Sequence, residues 1–139
     1  MAVEVTINYA AVLVAAVAGM VLGALWYSPL LFGKMWMSLS GITDKQIGEA
    51  KKKGMTKSYI LAFVGTLVMA YVLAHFVDYT QATTLAGGLQ AGFWIWLGFV
   101  ATTFLGMVLW EGKPWKLYFL NVAYYLVELL LMGAILASW

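Results

Sequence analysis

Residues 7–26, INYAAVLVAAVAGMVLGALW, run for about 20 positions without one charged side chain. At ~1.5 Å rise per residue, such a run coiled as a helix covers the ~30 Å hydrocarbon core of a bilayer. A backbone in that core has no water to bond with and must pair its own amides, which a helix does and an open strand does not. Residues 58–77, 88–110 and 117–136 have the same character. The whole chain is 64% hydrophobic and 10% charged over 139 residues, whereas a soluble domain averages ~45–50% apolar and ~25% charged. The reading is therefore all-α: an integral membrane four-helix bundle forming a single transmembrane domain over residues 1–139. Residues 7–26 read as a mature helix rather than a cleaved signal. Glu4 and no lysine precede them, and they end on Trp26 and Tyr27 rather than on small residues.

The charges give the orientation. Lys34, Lys45, Lys51, Lys52, Lys53 and Lys57 fall in the connection 28–57, and Lys113 and Lys116 follow the third apolar run. These are all the basic residues other than His75, and none is an arginine. Short lysine-rich connections stay cytoplasmic, so the loop 28–57 is expected inside and both termini outside. Trp26, Trp36, Trp110, Trp115 and Trp139 sit where interfacial indoles belong.

The 28–57 connection has structure of its own. Pro29 is placed to open a short helix at its first position, and Leu30, Leu31, Phe32, Met35, Trp36 and Leu39 recur at helical spacing, so a helix lying on the interface is predicted. Thr43 with Gln46 three residues later makes a capping-box pattern for a second, polar helix from Asp44 to about Lys53, closed by Gly54.

Helices in lipid gain little by burying apolar area against each other, and small residues mark where backbones approach. Ala11, Ala15, Gly19 and Gly23 form one such stripe, Thr66, Ala70 and Ala74 a second, and Gly98, Thr102 and Gly106 a third. Gly87, Gly88 and Gly92 make the start of the third run indistinct.

Glu128 is the residue that asks for chemistry. A carboxylate near the middle of a span is penalised by ~2.5 kcal/mol or more, so it needs a partner or a use. Asn121 and Tyr125 share its helical face, and Thr102 and Thr103 lie at similar depth as candidate donors, with Tyr71 a further one. His75, the one histidine, has Asp78 a turn later near the outer end of the second run, a spacing that suits a proton relay. The chain has no cysteine, and two donors are too few for zinc, so neither a metal nor a cofactor is expected. A serine hydrolase triad is poorly served, because Ser28, Ser38, Ser40 and Ser58 belong to the face opposite His75, which leaves only Ser138 near it. The net charge of +2 offers no patch for nucleic acid.

Three strings carry a resemblance: GALWYSPLLFGKMW over 23–36, GMTKSYILAF over 54–63 and TTFLGMVLWEGKPWKLYFLN over 102–121. They combine aromatic residues, glycine, proline and lysine at spacings that hydrophobicity alone does not demand. From about Asn8 to its end the chain resembles small bacterial membrane proteins of domain-of-unknown-function family 1761. The resemblance implies a four-span protein of the bacterial cytoplasmic (inner) membrane and carries over no catalytic or binding residues. Function is then read from the residues. A non-enzymatic packing module, either a homo-oligomer or an accessory subunit of a larger membrane complex, ranks first. A proton or small-cation channel or transporter built on the Glu128 face ranks second, and a membrane enzyme third.

Overall fold

The computed structural model describes residues 4–139; the part of the expected domain that falls on residues 1–3 lies outside them. Helix α1 covers Tyr9–Trp26, α2 Gly33–Ser40, α3 Asp44–Lys53, and α4 Thr56–Tyr79. Helix α5 covers Leu85–Ile95 and continues through a π-helical stretch, Trp96–Ala101, and a 3-10 turn, Thr103–Leu105, into α6, Gly106–Leu109. Helix α7 covers Trp115–Ser138. Four helices are long and apolar enough to cross a membrane: α1, α4, the continuous rod Leu85–Leu109, and α7.

Each helix starts and stops for a local reason. The Asn8 side chain accepts a hydrogen bond from the Ala11 amide at 3.1 Å and caps α1, and Thr84 caps α5 through the Gly87 amide at 3.1 Å. The capping box at α3 forms in both directions: Thr43 Oγ1 accepts from the Gln46 amide at 3.2 Å, and Gln46 Oε1 accepts from the Thr43 amide at 2.9 Å. Gly41 and Gly54 close α2 and α3 with φ of +73° and +92°, values that suit a residue without Cβ.

The short helix after α1 begins at Gly33, not at Pro29. Residues 27–32 instead fold back as turns: the Ser28 hydroxyl donates to the Leu25 carbonyl at 2.7 Å, the Phe32 amide to Trp26 at 2.9 Å, and the Gly33 amide to Ser28 at 2.9 Å. A Cβ on Gly33 would stand 2.6 Å from the Tyr27 carbonyl oxygen, so this fold-back requires glycine there. Leu30 and Leu31 are left exposed by it.

Helix α7 is the hub, touching α1, α4 and α5. Ala11, Ala15 and Ala16 of α1, Ala70 and Leu73 of α4, and Met132 of α7 close one core, each at most 2% exposed. The stripes expected on the first two runs are thus its seams. The third stripe is not: Gly98 and Thr102 face outward, and nothing lies within 4 Å of a Cβ built on Gly98. The seam of α5 is Gly88 and Gly92, packed on Leu129 and Gly133 of α7. The rod Leu85–Leu109 touches little else, and 6% of its apolar window is buried against 22–33% for the other three.

The π stretch is tied to α7 on both sides. Trp96 Nε1 donates to the Val122 carbonyl at 2.7 Å, and the Tyr118 hydroxyl donates to the Ala101 carbonyl at 2.6 Å. A π turn misaligns the carbonyls of a helix, and here a side chain from the neighbouring helix supplies the donor.

Asn8, Asp78, Ala82 and Trp139 line one shared groove. The beginnings of α1 and α5 and the ends of α4 and α7 therefore meet at one end of the bundle. The connections 27–55 and 110–114 lie at the other end, and all eight lysines go with them.

Candidate functional site

Glu128 lies near the middle of α7 and is 2% exposed, the one buried charged-type residue in the core of the described chain. The space for its side chain comes from glycine. A Cβ on Gly19 of α1 would stand 3.1 Å from Thr66 Cγ2, 3.2 Å from Met132 Cε and 3.3 Å from Glu128 Oε1, so any larger residue would press on all three. One turn along, a Cβ on Gly23 would meet the Tyr124 hydroxyl at 2.9 Å. The α1 stripe is narrow because α7 sets a carboxyl and a phenol against it.

Of the groups around Glu128, the Tyr124 phenol lies within hydrogen-bonding reach of its carboxyl. The Tyr124 hydroxyl, one turn before it, donates to the Gly19 carbonyl at 3.2 Å. Thr66 Oγ1 donates to the Ala62 carbonyl of its own helix at 2.9 Å and leans on the Met20 sulfur at 3.7 Å. Glu128 Oε2 is buried with no hydrogen-bond partner among the described residues. Most buried polar atoms are paired, and an unpaired one costs about 1–3 kcal/mol or more, so this oxygen is held against a penalty.

Glu128 lines a groove of about 710 Å³. Its walls are Met20, Ala24 and Tyr27 from the α1 side and Tyr59, Ala62 and Met69 from α4; α7 closes the floor with Tyr124, Tyr125 and Glu128. Tyr59 is 59% exposed at its mouth. A smaller groove of about 300 Å³ continues toward the lysine end between Tyr27, Trp36, Phe104, Asn121 and Tyr125. Tyr27 and Tyr125 border both. The Tyr27 hydroxyl donates to Asn121 Oδ1 at 2.8 Å, and its ring meets the Tyr124 ring edge-on at 5.3 Å. Burial first, and the neighbouring Tyr125 and Glu128 after it, push the Tyr27 phenol above its ordinary value, which keeps it a proton-bearing donor.

Glu128, Tyr125 and Asn121 thus share one side of α7, as their spacing requires. The other expected neighbours do not join them. Thr102 and Thr103 are exposed, and their hydroxyls donate to Gly98 and Phe99 of their own helix at 2.7 and 2.6 Å. Membrane-type helices satisfy hydroxyls this way when no neighbour is in reach. Tyr71 stacks on Tyr9 and meets the His75 ring edge-on, away from the groove. His75 Nδ1 pairs with the Tyr71 carbonyl at 2.8 Å, while Asp78 lines the polar groove at the lysine-free end, so the expected His75–Asp78 pair does not form a hydrogen bond. Among the described residues no group of three His, Cys, Asp or Glu side chains gathers as for a metal.

Tyr124 and Tyr27 are among the groove residues that the sequence does not place beside Glu128, and it sets Thr66 only on the small-residue stripe of its own helix. Tyr124 stands at i−4 from Glu128, a spacing that places it beside the carboxyl; nothing local ties Tyr27, at the end of α1, or Thr66, on α4, to that carboxyl.

No curated protein and no solved structure matches the chain. A family model described as "Protein of unknown function (DUF1761)" matches residues 10–137. With nearly its whole length covered, the chain belongs to the DUF1761 family.

Proposed function

We propose that the chain crosses a bacterial cytoplasmic membrane four times, with both termini on the non-cytoplasmic face, and acts there as a non-enzymatic module that packs against a second copy of itself. The orientation rests on the gathering of all eight lysines at one end of the bundle. The assembly rests on the outward face of the rod Leu85–Leu109, where Gly98 and Thr102 are exposed and a Cβ on Gly98 would meet nothing. Small residues on a lipid-facing surface permit the close backbone approach by which such helices associate. Mass measurement after gentle extraction into nanodiscs tests this. A multiple of the 15.3 kDa chain that Gly98→Leu reduces supports it, and a single-copy particle sinks it.

A second reading is favoured by one specific observation, the unpartnered Oε2 of Glu128. A buried carboxyl oxygen without a partner suits a residue that accepts a proton or a small cation in passing. Glu128→Gln in proteoliposomes should then abolish a flux that the unaltered protein supports. Equal flux through both proteins rules this reading out.

A further inference from the structure

We propose that the groove between α1 and α4 binds a lipophilic organic monocation, whose charge rests on Glu128 and whose apolar body fills the space between Met20, Tyr59 and Met69. This rests on the second reading above, that Glu128 holds a positive guest, and names the guest's chemistry.

Three observations select that class. Glu128 lines the floor of the groove, is 2% exposed, and keeps its Oε2 buried without a hydrogen-bond partner among the described residues. When ionised, this carboxyl calls for a positive group beside it, since buried charge must be paired. Next, the remaining walls contain no second carboxyl and no imidazole; they are phenol rings, two thioethers and small residues. A hard inorganic cation wants about six oxygen ligands, which one carboxylate and a few phenols do not supply. Ring faces and methionine sulfur instead favour a large, weakly hydrated cation, through cation–π and sulfur contacts. Finally, about 710 Å³ lies within the ~300–1,000 Å³ of ordinary small-molecule sites. The exposed Tyr59 marks a mouth between two helices apolar enough to sit in lipid, a route open to a molecule that partitions into hydrocarbon.

Tetraphenylphosphonium is the probe, titrated by equilibrium dialysis against the full chain in nanodiscs, with empty nanodiscs subtracted and tetraphenylborate as the size-matched anion. Saturable binding of the cation and none of the anion is expected. Glu128→Gln should weaken that binding about tenfold or more, the size of a lost charge-assisted contact. Ala62→Trp, which keeps the carboxyl and fills the groove, should abolish it, and decides the matter if the Glu128 variant fails to fold. Absence of saturable binding, equal binding of cation and anion, or full affinity in either folded variant overturns the proposal. Glu128-dependent proton flux without tetraphenylphosphonium binding overturns the organic guest and keeps the second reading; absence of both overturns the two together.

Discussion

Gly88 of α5 and Gly133 of α7 touch backbone to backbone: the carbonyl of each occupies the place where the other's Cβ would stand. Gly92 repeats the arrangement one turn on, with a Cβ there falling on the Leu129 carbonyl group. No side chain yields at these contacts, so the helices themselves must separate for any larger residue to fit. Gly88→Ala and Gly133→Ala should each lower stability by about 1–3 kcal/mol, the usual cost of overpacking. Gly98→Ala, in open space, should change it by less than about 0.5 kcal/mol. Thermal unfolding in one detergent separates the two groups, and equal losses at Gly88 and Gly98 contradict the seam.

The hydrogen bond from Tyr27 to Asn121 joins the turn after α1 to α7 across 94 residues of chain. Tyr27→Phe and Asn121→Leu should each destabilise the protein, with a coupling of about 0.6 kcal/mol in a double-mutant cycle, the average for such bonds between membrane helices. Strict additivity would show that the pair does not form.

Thr102 and Thr103 donate to carbonyls of their own helix and stand clear of Glu128. Thr102→Ala and Thr103→Ala should therefore leave tetraphenylphosphonium affinity unchanged. Loss of binding in either would bring these residues back to the site.

The orientation can be read chemically, because the chain has no native cysteine. A membrane-impermeant maleimide applied to intact cells should label Glu4→Cys at once and Lys52→Cys after permeabilisation. The reverse order would invert the topology.

Local physics made much of this chain legible as text. A helical amide finds its partner four residues away, so long apolar runs, the Thr43 and Gln46 box and the glycine at the end of α3 carry their own instructions. Glu128 stood out for the same reason, as a carboxyl amid hydrocarbon side chains. Local pattern failed where it had to compete with the fold. Pro29 could open a helix, but the turn at residues 27–32 and the close approach at Gly33 delay it to Gly33.

Which surfaces meet was left to the tertiary structure. In a soluble helix, polar residues mark the outside. In helices apolar on every side, hydrophobicity has no inward direction, and Gly88 cannot be told from Gly98 by its neighbours. Only the packing of α5 on α7 made the first a contact and left the second bare. The same packing sent the Thr102 and Thr103 hydroxyls outward, and brought Gly19, Thr66 and Tyr124 from three helices around the Glu128 carboxyl, whose Oε2 is left without a partner among the described residues.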